Sequence, residues 1–192
     1  WVKFSTPHTS DGVEGTLQAD YIFSKKCNVS AHYQIKKKER YGEPYLYNKL
    51  KLQCQYFPMK TLEIRLSTRC TTVRDQQHQR VKGYMGNAIL KWHEKKDRIK
   101  LALSYAYFNS EDYKAPMSFY EPSLLYTYSF MTMYGQGMRA ACVAEWNISK
   151  HFMLMLKYGI TAYTDRTEIG EGLQRIGSRY KNDLSFLLKC KF

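Results

Sequence analysis

The chain has 192 residues, with 30 Lys+Arg against 17 Asp+Glu for a formal charge of +13, and 15% of it is aromatic. That length fits one domain, or two at most, and so heavy an aromatic load at ordinary hydrophobicity excludes disorder as the main state. The longest apolar runs, 140–144 and 152–156, fall far short of the roughly 20 residues of a membrane-crossing helix, so no helical span is expected.

The dominant pattern is period two, which sends alternate side chains to opposite faces of a strand. After a short lead at 1–6, it runs through Leu17, Ala19, Tyr21 and Phe23, then Val29, Ala31, Tyr33 and Ile35. It continues in Leu50, Leu52, Cys54 and Tyr56, in Leu62, Ile64 and Leu66, and in Gly86, Ala88, Leu90 and Trp92. Ile99, Leu101, Leu103, Tyr105 and Tyr107 form the next apolar phase, followed by Met138, Ala140, Cys142, Ala144, Trp146 and Ile148. Phe152 to Ala162 repeat it, and Leu184, Phe186, Leu188, Cys190 and Phe192 close the series. These segments predict about ten sequential strands joined as hairpins, with no helix of ordinary length between them.

The connections alternate in kind. Those at 24–26, 58–60, 94–97 and 149–150 are short; those at 10–14, 38–44, 74–82, 110–136 and 166–180 are long. Short turns on one rim and long loops on the other are the plan of an outer-membrane barrel. A soluble barrel hides its apolar face inside, whereas a membrane barrel turns it outward around a polar lumen. The polar phases carry Lys49, Lys51, Arg65, Arg69, Lys100, Arg139 and Lys157 at mid-strand, a basic face expected to line a lumen. The apolar phases carry Tyr21, Phe23, Tyr56, Trp92, Tyr105, Tyr107, Trp146 and Phe152, as expected of rings held at the headgroup level. The fold class expected is therefore all-β: an antiparallel transmembrane β-barrel of outer-membrane type. Residues 1–192 are expected to form one barrel segment of about ten strands.

The final strand, with Phe186, Leu188, Cys190 and Phe192, resembles the terminal strand that bacterial outer-membrane barrels present to their assembly machinery. Two further stretches carry a more specific resemblance. One runs from Tyr120-Glu121-Pro122-Ser123-Leu124-Leu125-Tyr126 through Phe130 to Tyr134-Gly135-Gln136-Gly137; the other from Asp165-Arg166-Thr167-Glu168-Ile169-Gly170 through Ile176 to Lys181-Asn182-Asp183-Leu184. They are similar to the C-terminal barrel of a bacterial family whose N-terminal region carries helix-hairpin-helix repeats of the competence, DNA-uptake type. The resemblance implies that residues 1–192 are the C-terminal part of a longer protein with a larger barrel, and an outer-membrane location, with lipid, lipopolysaccharide and the barrel-assembly machinery as partners. It also implies a transport or DNA-uptake role in which DNA is contacted through an upstream segment. Ser123 stands where the family more often has Asp or Asn.

The positive charge by itself has three explanations. Lumenal Lys and Arg pair with carboxylates such as Asp20, Glu63 and Glu145 or meet lipid phosphates; they select anions in a lumen; or they contact nucleic acid directly. The first is expected, and no direct nucleic-acid site is identified. The five cysteines, Cys27, Cys54, Cys70, Cys142 and Cys190, are widely spaced with no C-x-x-C and read mostly as small hydrophobes. No cofactor or metal is expected, and the acidic loop with Asp165, Glu168 and Glu171 reads as a solvated turn. No nucleotide-binding or hydrolase motif is present. An enzyme is the lesser expectation: a small self-contained barrel acting at the membrane surface, for which Ser30 with His32, or His93, would be the groups to test. A soluble lipocalin-like binder is the third. The aromatic 110–136 connection is too apolar to hang in water and is expected either to form strand above the membrane or to fold into the pore.

Overall fold

The computed structural model describes residues 11–40, 43–74, 79–170 and 172–191. Within them every alternating segment forms a strand: β1 (Val13–Ser24), β2 (Cys27–Arg40), β3 (Glu43–Met59), β4 (Leu62–Arg74), β5 (Arg80–His93) and β6 (Ile99–Ser110). After two short strands, β7 (Met117–Tyr120) and β8 (Phe130–Met133), come β9 (Gly135–Asn147), β10 (Phe152–Tyr163) and β11 (Tyr180–Cys190). The lead at 1–6 and Phe192 lie outside the described residues.

One nine-stranded sheet runs in the order β1-β2-β3-β4-β5-β6-β9-β10-β11, and β7 with β8 forms a separate hairpin. All ladders are antiparallel, as the expected up-and-down plan requires. Among the described residues β1 and β11 are unpaired edges, and nine antiparallel strands make these two edges run in the same direction.

The turns at one rim are tight, with β1 passing to β2 through Lys25 and Lys26, and β3 to β4 through Lys60 and Thr61. At the β5–β6 turn Asp97 takes φ 54, held by a bond from its amide to the Glu94 carbonyl. The opposite rim departs from expectation at 38–44. Its residues predict a long loop, yet β2 continues to Arg40 and β3 starts at Glu43, with Lys38 opposite Tyr45. The run of charges and the nearby Gly and Pro look like turn signals, but ladder hydrogen bonding carries strands past them.

Register assigns faces. Lys51 lies opposite His32 and Arg69, Arg65 opposite Gln55 and Ile89, Arg139 opposite Ala106 and Thr161, and Lys157 opposite Val143 and Ser185. Directly opposed residues share a face, so all seven basic residues lie on one face, here the inner one. The other face carries the apolar phase exposed, from Leu17 to Leu188.

The inner face is buried over the middle of the sheet because residues 111–134, containing the β7–β8 hairpin, fold across it, whereas β1 is exposed along its whole length. Met117, Phe119 and Met133 of the hairpin pack with Met85, Ala106, Phe108 and Tyr163 of the wall. Ala115 packs with Tyr47 and Val73, and Leu124 with Val143 and Met155. Small wall residues let the insert approach: a Cβ on Gly83 would stand 2.9 Å from the Ala115 carbonyl and 3.2 Å from the Met117 sulfur. The hydrophobic core is therefore not between two sheets; it lies between a sheet and its own inserted loop.

Candidate functional site

The insert brings one carboxylate onto a basic wall, and that contact organises the site. Glu121 follows β7, is 0% exposed, and its amide donates to the Ser129 carbonyl at 2.8 Å, closing the hairpin. Its carboxylate accepts from Arg139 of β9 through Nε at 2.6 Å and Nη2 at 2.9 Å. The Lys157 ammonium of β10 lies 2.7 Å from the same carboxylate and reaches Ser123 Oγ at 3.3 Å.

Arg139 is 2% exposed, and all five of its N–H donors are used. Beyond the two to Glu121, Nη1 donates to Thr161 Oγ1 and Asp183 Oδ1, both at 2.8 Å, and Nη2 to Asp183 Oδ2 at 3.0 Å. Gly159 makes this possible, because a Cβ there would stand 2.7 Å from Nη2 and 2.6 Å from the Asp183 carboxylate. Such a network is stable only when every member is satisfied, since an ion left unpaired in a buried site is costly.

Two further contacts seat the insert. Arg69 Nη1 donates to the Ser118 carbonyl, and the Lys189 ammonium donates to the Tyr126 hydroxyl at 2.7 Å. The β10–β11 connection lies over the same region, with Ile169 against the Met85–Phe108 cluster. Its Asp165 pairs with Arg166, which holds that carboxyl below the usual range, and the Arg166 guanidinium covers the Tyr163 ring at 4.6 Å. Glu168 is paired with Arg175 at 2.5 Å, and Glu171 lies outside the described residues.

The seven basic residues divide by their partners. Arg65 meets Glu63 at 2.6 Å, Lys100 meets Glu145 at 3.1 Å, and Arg139 and Lys157 share Glu121. Lys49, Lys51 and Arg69 have no ion pair among the described residues; together with Pro116, Met117 and Ser118 of the insert they line a cavity of about 390 Å³. Asp20 accepts from Gln18 at 2.7 Å instead of from a basic residue.

On the outer face, Tyr21, Phe23, Tyr56, Trp92, Trp146 and Phe152 stand toward the tight-turn end of their strands, all exposed. Tyr105 and Tyr107 are also exposed but lie further toward the long-loop end of β6. Phe186, Leu188 and Cys190 project from the outer side of the β11 edge. His32 shares the inner face with Ser30, and no hydrogen bond joins the two among the described residues. The His93 ring lies 2.9 Å from Asp97 and 3.1 Å from the Lys60 carbonyl, contacts that fasten two tight turns together.

Sequence reasoning did not single out Glu121, Thr161 or Asp183 as parts of one site. The available signal was a lone acid between Tyr120 and Pro122 in an aromatic stretch, a residue type that is buried only when paired.

No protein-family model matches the chain, and no curated protein is similar to it. Among solved structures it is similar to the anion-selective porin from Comamonas acidovorans, with a TM-score of 0.63 and 10% identity over 91% of this chain and 48% of the porin. The translocator domain of autotransporter NalP from Neisseria meningitidis superposes at a TM-score of 0.30 and 8% identity, over 95% of this chain and 69% of that domain. The likeness to the porin is one of fold, and this chain spans about half the porin's length.

Proposed function

We propose that the chain is part of the wall of a bacterial outer-membrane barrel, and that its inner face lines an aqueous passage narrowed by the 111–134 insert. The observation that carries this reading is the placement of the insert. A segment rich in aromatic residues sits on the polar, basic face and leaves the apolar face bare. That is the arrangement a lipid-exposed sheet needs, because a soluble barrel would cover its apolar face instead.

Strand parity supports membership in a larger barrel. Edges β1 and β11 run the same way, so a single-chain antiparallel barrel with an even strand count needs an odd number of further strands between them. The exposed outer aromatics support contact with lipid and lipopolysaccharide, and the β11 edge supports handling by the assembly machinery. The excess of inner-face Lys and Arg supports passage of anions over cations. A DNA-uptake association, with repeats upstream contacting DNA, is the finer role that the sequence resemblance implies.

The test is reconstitution of the full-length protein into planar bilayers under a KCl gradient. Conductance with a reversal potential on the chloride side is the expected result. A protein recovered in the soluble cell fraction, or one that never conducts, overturns the reading. DNA retention by cells that falls when the upstream segment is deleted would support the finer role.

A further inference from the structure

The geometry points to a discrete binding site for a phosphate-class oxyanion, free or as the phosphoryl group of a small solute, at Lys49, Lys51 and Arg69. The inference rests on the reading that the inner face lines an aqueous passage, but it goes further: a diffuse positive field attracts anions, whereas a site holds one.

Three observations carry it. First, the charges are concentrated and none of them is held in an ion pair among the described residues. Lys51 lies directly opposite Arg69 in the β3–β4 ladder, and Lys49 is two residues away on the same face. Like charges directly opposite each other are destabilising, and none of the three has an ion pair among the described residues. Glu14, on β1, is already taken by Lys36 and by Gln34, the latter at 2.5 Å. Elsewhere on the inner face Arg65, Lys100, Arg139 and Lys157 each have their carboxylate.

Second, of the two buried side-chain donors without a partner among the described residues, Arg65 Nε and Arg69 Nε, one belongs to this cluster. Arg69 Nη1 is fixed by the Ser118 carbonyl, which orients the guanidinium, while Nε is buried and has no hydrogen-bond partner. A buried, unsatisfied N–H is uncommon enough to call for an acceptor.

Third, the space and the neighbours suit an oxyanion. The cavity of about 390 Å³ is lined by Ser30, His32 and Gln34 as well as the three cations, with the Ser118 segment of the insert along one side. It has room for a phosphoryl group with a small organic remainder. A planar guanidinium beside two ammonium groups matches the spread of oxygens on a doubly charged oxyanion better than it matches chloride.

The experiment uses the full-length protein in a phosphate-free detergent, titrated calorimetrically with inorganic phosphate, glycerol 3-phosphate and chloride, with and without phosphatidylglycerol. Saturable binding of phosphate and glycerol 3-phosphate is expected at one site, unaffected by the lipid, with chloride at least tenfold weaker. Lys51→Gln with Arg69→Gln should weaken phosphate binding at least tenfold, and Lys95→Gln, on the exposed β5–β6 turn, should leave it unchanged. Both variants must keep the wild-type shift in gel mobility on heating, so that lost binding is not lost fold; should the double variant fail this, Lys49→Gln alone carries the comparison. Chloride-selective conductance together with phosphate binding that does not saturate, or that survives the substitutions, overturns the site and leaves the passage standing. Saturable binding in a protein that never conducts overturns the passage and leaves the site. Competition by phosphatidylglycerol with no binding of free phosphate overturns the solute site in favour of a lipid headgroup.

Discussion

Replacing Glu121 by Ala is expected to destabilise the folded protein by about 3–5 kcal/mol, the cost of breaking a buried ion pair by removing one member. Lys157 would lose its carboxylate and Arg139 would keep Asp183 and Thr161, while three apolar clusters would still hold the insert. The loss should therefore first appear locally, as protease cleavage within 111–134 at a temperature where the sheet remains folded. In bilayers the same variant should conduct more, because the insert then spends less time on the wall. An E121A protein whose insert resists protease like the wild type, at unchanged conductance, would show that the apolar contacts alone seat it.

Phe108→Ala is expected to cost about 3–5 kcal/mol, the range for truncating a buried aromatic. Phe108 is 0% exposed and packs edge-on against Tyr163 with ring centroids 5.6 Å apart, beneath Met117 and Phe119. Its chain neighbour Tyr107 points the other way and is 40% exposed. Tyr107→Ala, measured in the same detergent by urea titration, should cost well under half as much. Equal losses at the two positions would mean that the inner face is not the packed one.

Adjacent residues with such different environments explain why the strands were legible in the sequence. In a sheet with one lipid-ready face and one polar face, each strand writes its own alternation, so β6, β9, β10 and β11 could be read from their residues alone. Four of the eight ladders followed from the short turns; the other four, β6 with β9 among them, join strands across the opposite rim. What the sequence could not place was anything fixed by distant contacts. The aromatic richness of 110–136 showed that it had to pack, but not on which surface, because its partners Met85, Phe108 and Tyr163 belong to three different strands. Glu121 was opaque for the same reason: its cations lie on β9 and β10, and no periodicity links a loop acid to them. The 38–44 stretch misled in the opposite direction, since local turn chemistry there is overridden by pairing along the whole length of β2 and β3.

The insert is joined to the wall at both ends, leaving β6 after Ser110 and returning at Gly135 on β9, which is β6's own partner. It thus behaves as a ligand tethered beside its receptor, with a local concentration that dilution cannot lower. Once displaced it stays anchored at both ends, so rebinding is unimolecular and does not slow on dilution. Openings of such a passage would be brief flickers instead of a lasting open state. Lengthening the tether, with no change to a single wall contact, would prolong them.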